Sequence, residues 1–156
     1  MAVLAVLGGL VIFLTRPPES LADSAKRTAE RFANDDLAYL KQVATADTID
    51  DVVRWFDAVH PLLVKSRSQW KSQDADIQVM VIGEDHSQRK GEAQAFIYPP
   101  QSTNHASKVA SAAAAATSAP PATVPPIDLR LHWVLDRNGT WKLDGAQTFQ
   151  AAASSL

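Results

Sequence analysis

Residues 127–149 read IDLRLHWVLDRNGTWKLDGAQTF, and this stretch decides the fold. Ile127, Leu129, Leu131, Trp133 and Leu135 alternate with Asp128, Arg130, His132 and Asp136, which leaves Val134 as the only apolar residue on the second face. A strict period of two over that length describes a strand with one buried face. After Asn138-Gly139 the alternation resumes, with Trp141 and Leu143 set against Lys142 and Asp144. The pattern predicts a β-hairpin. A two-residue loop of Asn138 and Gly139 would set Leu135 opposite Lys142 and Trp133 opposite Asp144, mixing the faces. A three-residue loop of Arg137, Asn138 and Gly139 sets Leu135 opposite Trp141 and Trp133 opposite Leu143, so that the four apolar side chains share one face. The longer loop is therefore expected, a type I turn followed by a left-handed Gly139.

Outward from the hairpin, two more strands precede it. Residues 77–82, IQVMVI, form a short apolar run expected to be a strand buried on both faces. Residues 83–91 read as polar turn material, and residues 92–98 as a strand closed by Pro99-Pro100. Between them and the hairpin, residues 101–126 change composition to Ser, Thr and Asn, an Ala run at 112–116, then APPATVPP. This segment reads as a flexible insert stiffened by proline at its exit. Residues 150–156 read as a small frayed tail.

The first half is helical. Residues 20–34 carry Leu21, Ala25, Ala29 and Phe32 along one stripe, with Lys26, Arg27, Glu30 and Arg31 opposite. Asn34-Asp35-Asp36 reads as a stop and a new N-cap, after which Leu37, Leu40 and Ala44 mark a short second helix. Thr48 is expected to cap a third helix, with Asp51 as its capping partner. The buried stripe of that helix is expected at Val52, Phe56, Val59 and Leu63, widened by Val53 and Trp55, and Pro61 is expected to end or kink it.

The chain begins with an uninterrupted apolar run at 2–14, AVLAVLGGLVIFL, followed by Thr15-Arg16-Pro17-Pro18. As a helix the run spans ~20 Å, against a hydrocarbon core of ~30 Å. Three readings compete: a membrane anchor, a signal-peptide core with Ser20-Leu21-Ala22 near a cleavage site, and a buried element. The anchor is preferred, making residues 1–17 an N-terminal membrane or signal segment, residues 18–149 the domain with its insert at 101–126, and residues 150–156 the tail. The expected localisation is a single-pass membrane protein with its domain outside the cytoplasm. Arg16, Lys26, Arg27 and Arg31 all follow the segment and argue for the opposite orientation under the positive-inside rule.

Composition narrows the function. The chain has 156 residues, 46% hydrophobic and 21% charged, enough for one domain with appendages. A net charge of −2 spread along the chain offers no nucleic-acid surface. With no cysteine, disulfides, thiolate zinc sites and cysteine nucleophiles are excluded.

Helices followed by a sheet whose last hairpin carries Asn138-Gly139, then Trp141, Lys142, Leu143 and Asp144, resemble the nuclear transport factor 2-like superfamily. The opening helix with its break at Asn34-Asp35-Asp36 is similar to that family as well. The resemblance covers roughly residues 20–100 and 127–149. It implies an α+β fold of N-terminal helices packed on a curved antiparallel sheet, a cystatin-like roll forming a cone with a pocket, here preceded by a hydrophobic N-terminal segment. Some members of the superfamily are isomerases or dehydratases that place Asp, His or Tyr inside the cone.

Such chemistry needs a titratable group of shifted pKa within reach of a substrate. The strand positions expected to face the helices, Leu129, Leu131, Trp133, Leu135, Trp141 and Leu143, are all apolar. Asp128, Arg130 and His132 point the other way, toward solvent or an interface. His60 beside Pro61 reads as a helix-end residue. His86 falls in a turn and His105 in the insert, neither with metal-ligand spacing. Asp35-Asp36 and Asp50-Asp51 sit where helix starts favour acids. Tyr39 and Tyr98 are candidates for half-buried packing or a pocket hydrogen bond. No phosphate loop, nucleophile elbow or zinc pattern is present.

No catalytic, cofactor-binding or metal residue is therefore assigned. The candidate pocket or interface residues are Trp55, Phe56, Tyr98, Trp133 and Trp141, with Trp70 as a further aromatic at a mouth or interface. Two functions stay open: a noncatalytic domain held at a membrane through residues 2–14 and serving assembly or ligand binding, and a small-molecule isomerase or dehydratase of the ketosteroid isomerase kind. A protein partner or a second copy bound through the sheet belongs to the first.

Overall fold

A computed structural model describes residues 19–100 and 125–154. The apolar run at 2–14, His105 with nearly all of the 101–126 insert, and residues 155–156 lie outside the described residues. In chain order the described elements are α1 (Leu21–Ala33), α2 (Leu37–Val43), α3 (Ile49–Trp70), β1 (Asp76–Asp85), β2 (Lys90–Tyr98), β3 (Ile127–Leu135), β4 (Trp141–Leu143) and α4 (Gly145–Ala153). The strands form one antiparallel sheet in the order β1-β2-β3-β4. With helices packed against it, the fold is α+β.

The hairpin has the register that its alternation demands. Leu135 pairs with Trp141 and Trp133 with Leu143. Asp136 and Thr140 close the turn through a 2.9 Å backbone bond, and Gly139 takes a left-handed φ of 76°. The Asp136 carboxylate accepts the backbone N–H groups of Asn138 at 2.8 Å and Thr140 at 2.9 Å, so the loop is fixed by the side chain that precedes it. Leu129, Leu131, Trp133, Trp141 and Leu143 are buried, whereas Leu135 is half-buried.

Helix α1 packs on β1 and β2 through Leu21, Ala25, Ala29 and Phe32. Ser20 caps it, accepting the Asp23 N–H at 3.1 Å. Its first turn lies directly on β2, because a Cβ at Gly91 would stand 2.6 Å from Leu21 Cδ2. Asp36 caps α2 by accepting the Tyr39 N–H at 3.0 Å. Asp50 and Asp51 fall in the first turn of α3, where acids complement the helix dipole.

Several expectations are corrected. Pro61 does not end α3, which continues to Trp70. Pro61 and Asp57 are both exposed, so the carbonyl left without its i+4 donor lies on the solvent side. His60 is therefore mid-helix rather than at a helix end. The buried stripe of α3 is Val52, Trp55, Val59 and Leu63, with Phe56 only half-buried: Trp55 lies on Phe32 at 5.0 Å between ring centroids, while Phe56 meets Phe32 edge-on and stacks on the half-buried His60. Thr48 stands at the N-cap of α3, but its hydroxyl makes no cap bond. Asp35 takes no capping role; it adopts a left-handed φ of 60° and pairs with His60.

Strand β1 is not buried on both faces. It is an edge strand, and Met80, Val81 and Ile82 are 52%, 37% and 47% exposed. It also reaches further than its apolar run, through a register shift between Val81 and Gly83, so the turn shortens to residues 86–89. Residues 150–153 are the last turn of α4 rather than frayed tail.

Candidate functional site

Two adjoining cavities lie where α1, α2 and the β3–β4 hairpin meet. The outer one, about 1020 Å³, runs from Glu19, Ser20 and Arg27 across to Glu84 and His86 at the end of β1 and to residues 138–141. The inner one, about 200 Å³, is lined by Ser24, Arg27 and Thr28 of α1, Tyr39, Gln42 and Val43 of α2, and Trp133, Trp141 and Lys142 of the hairpin. Glu19, Arg27, Thr140 and Trp141 border both, so the two form one stepped cleft.

Helical spacing builds the α1 wall: Ser24 and Thr28 are four residues apart and buried beside the apolar stripe, while Arg27 stands at its edge. Arg27 bridges to Glu19 at 3.0 and 3.2 Å. Strand alternation builds the opposite wall, sending Trp133 and Trp141 inward from neighbouring strands.

Two residues that line the smaller cavity carry buried polar atoms without hydrogen-bond partners among the described residues, Trp133 Nε1 and Thr28 Oγ1, and both atoms are closed off from its free space. Trp133 is 2% exposed and Thr28 is 1%. A buried polar group left unpaired costs about 1–3 kcal/mol. Indole N–H is a donor only, so it asks for an acceptor. Burial holds the Tyr39 phenol above its ordinary pKa of 10.0, with Arg27 nearby acting in the opposite direction. At neutral pH this phenol keeps its proton and can donate.

In the outer cavity His86 Nε2 lies 2.9 Å from Glu84 Oε1, and its ring stands 6.0 Å from that of Trp141. The His86 side chain is 69% exposed. Alternation along β1 puts Glu84 on the helix-facing side, in step with Gly91. Among the described residues no group of three or more His, Asp or Glu side chains is placed to hold a metal ion.

Comparison with protein-family models, with curated proteins and with solved structures found no match.

Of the five aromatic residues singled out in the sequence, the cleft brings together two, Trp133 and Trp141. Trp55 is buried under Phe32. Phe56 stacks on His60 at 4.6 Å, on the side of α3 that meets the end of α1. Tyr98 lies on the outer sheet face beside Phe96, with centroids 6.2 Å apart. Trp70, also half-buried, packs against the core.

Sequence reasoning missed Ser24, Thr28 and Arg27 as cleft residues, together with the Glu84–His86 pair. The polar break in an otherwise apolar stripe at Ser24 and Thr28 was the available signal for the first two. For the pair, the i,i+2 spacing would have shown one face only if β1 had been extended past Gly83.

Proposed function

We propose that this chain is a noncatalytic, ligand-binding module of the nuclear transport factor 2-like kind, held at a membrane through residues 2–14. The observation that carries the binding half is the stepped cleft itself: cavities of about 1020 Å³ and about 200 Å³ adjoin along Glu19, Arg27, Thr140 and Trp141. A concave site with an aromatic wall and a few convergent polar groups suits capture of a small molecule. The α+β order of helices before a four-stranded antiparallel sheet, with the Asn138-Gly139 hairpin last, is what the family reading rests on.

Binding is tested by titrating the full chain in detergent with a small-molecule fragment library and following the amide signals of Gly139 and Trp141. Ligands that move them support the module; a library that leaves them unmoved contradicts it. The membrane half is tested by fractionating cells that express the full chain or a chain starting at Glu19. Loss of membrane association in the shorter chain is expected, and equal solubility of both would end this part of the reading.

The Glu84–His86 pair favours a second reading, in which the cleft belongs to an isomerase or dehydratase and His86 moves a proton. Turnover of a bound ligand that disappears in His86→Ala, with binding retained, would establish it over the first.

A further inference from the structure

We infer that this protein forms a twofold dimer through the free edge of β1, joining two four-stranded sheets into one. The inference goes beyond the ligand-binding reading and does not depend on the cleft.

The two edges of the sheet are treated differently. At β4 the α2–α3 connection takes up the edge, with Ala44 bridging Leu143 and the Thr45 N–H donating to the Leu143 carbonyl at 2.9 Å. At the opposite end no strand among the described residues pairs with β1 on its free side. This strand is 10 residues long, and from Ile77 to Gly83 it carries no charge and no proline. Edges that stay single are usually short, charged, bulged or interrupted by proline. The register shift between Val81 and Gly83 is such a device, but it leaves Asp76–Val81 regular.

Burial along β1 shows where a neighbour is missing. Ile77, Val79 and Val81 face the helices, opposite Ile97, Ala95 and Ala93 of β2, which are fully buried. Yet Ile77 and Val79 are only half-buried, and Val81 is 37% exposed. Strand β2 flanks these residues on one side and α1 packs across this face, which leaves the edge as the open direction.

The edge is complementary to itself. Directly opposite residues of an antiparallel pair share a face. A twofold axis through Val79 sets Ile77 of one copy against Val81 of the other and Val79 against Val79, so that every pair on the helix-facing side is apolar. On the other face Gln78 meets Met80, and Asp76 lies opposite Ile82 rather than an acid. A register centred on Met80 would drive Asp76 of each copy toward Glu84 of the other, acid on acid. One centred on Gln78 would leave Val81 beyond the end of the other strand. Charge and burial thus select the same register, and they select a second copy as the occupant, because an isologous contact uses one patch twice.

The position of Glu19 fits two copies at one membrane. Glu19 shares the outer cavity with Glu84, on the helix-facing side of the sheet. A twofold axis normal to the sheet keeps Glu19 of both copies on that side, where two segments 2–14 can enter one bilayer.

The test uses the full chain in detergent micelles. Sedimentation equilibrium in density-matched detergent is expected to give a dimer for the native chain. Val81→Lys is expected to raise the dimer dissociation constant about tenfold or more, by setting a charge against Ile77 of the other copy, with the circular dichroism spectrum unchanged. The chain has no cysteine, so single-cysteine variants report contacts without background. A short thiol–thiol cross-linker is expected to join Val79→Cys to itself, and Ile77→Cys to Val81→Cys when those two variants are mixed. Gln94→Cys, on the opposite face of β2, is expected to stay unlinked. If Val81→Lys fails to fold, the cysteine variants still decide the matter. A monomeric native chain overturns the inference, and so does a dimer indifferent to Val81→Lys. Linking of Gln94→Cys in preference to Val79→Cys overturns it too, by placing the contact on the outer sheet face. None of these outcomes bears on the cleft, whose own test reads Gly139 and Trp141.

Discussion

The backbone N–H of Gly145 donates a 2.9 Å hydrogen bond to the hydroxyl of Thr48, 97 positions earlier in the chain. The same hydroxyl lies 2.7 Å from that of Thr45, and the Thr45 N–H donates to the Leu143 carbonyl at 2.9 Å. The connection between α2 and α3 therefore joins the free side of β4, where Ala44 bridges Leu143, and fixes the point at which the sheet gives way to α4. The remaining edge of β3 is closed by α4, whose Thr148 hydroxyl accepts the His132 N–H at 3.1 Å. Two hydroxyls do here what a longer β4 would otherwise do with backbone groups.

Gly145→Ala is expected to destabilise the fold by about 1–3 kcal/mol, the usual cost of overpacking. The new Cβ would stand 2.4 Å from the Thr48 carbonyl oxygen and 2.7 Å from a Val52 methyl, so backbone rather than a flexible side chain must move. Thr48→Val, which leaves the Gly145 N–H buried and unpaired, is expected to cost about 1–3 kcal/mol. Denaturant midpoints measure both, and a change within error for Gly145→Ala would mean that α4 is not held against α3.

Trp133→Ala is expected to cost about 3–5 kcal/mol, because the indole is 2% exposed in the middle of the inner sheet face. Trp133→Phe keeps much of that packing while removing the unpaired N–H, and should cost clearly less. Chemical unfolding of the two variants side by side checks the ranking; a loss below about 1 kcal/mol for the alanine variant would contradict the burial.

Asp85 organises the β1–β2 turn, accepting the Ser87 N–H at 2.8 Å, the Ser87 hydroxyl at 2.6 Å and the Gln88 N–H at 3.0 Å. The Ser87 hydroxyl foremost, then the Gln88 N–H, hold its carboxyl below the ordinary 3.8. A carboxyl depressed in the folded state stabilises above its unfolded pKa, and that contribution is lost as pH falls through the folded value. Asp85→Ala should therefore be less stable than the native chain at neutral pH, and the gap should close at acidity well below 3.8. Melting curves across that range test the sign; a gap that widens on acidification would refute it.

Helix α3 ends at Lys71 with φ 57° and ψ 31°, a left-handed conformation that disfavours any side chain. Lys71→Gly is expected to raise stability by about 1 kcal/mol, read as an upward shift in melting temperature. Unchanged or lowered stability would place the helix end elsewhere.

The hairpin was legible because alternation and register are coupled: only one loop length puts Leu135, Trp141, Trp133 and Leu143 on a common face. Helix α1 was equally legible from its stripe. Helix α4 was missed although Asp144 and Gln147 have capping-box spacing, and the Asp144 carboxylate does accept the Gln147 N–H at 3.1 Å. Short Ala-rich helices carry little apolar periodicity, and the signal lay in the cap alone. Strand β1 was misjudged because consecutive apolar residues look the same on an exposed edge and in a doubly covered strand. The cleft escaped notice for a different reason: most of its polar lining comes from α1, α2 and the turns, joined by Glu84 of β1 and Lys142 of β4, whereas the sequence drew attention to the apolar strand positions. The sequence does identify Ser24 and Thr28 as polar and on the buried side of α1. Which hairpin residue they meet depends on how the helix crosses the sheet, and no local pattern encodes that.

The central claim is that the cleft between α1 and the β3–β4 hairpin is where this protein meets its ligand. Crystals of the full chain soaked with a fragment library test it most directly. The account predicts fragment density against Trp141, in the space bordered by Arg27, Thr140 and Lys142. Fragments that collect only on the outer sheet face, around Met80, Phe96 and Tyr98, would contradict it and move the function to that face.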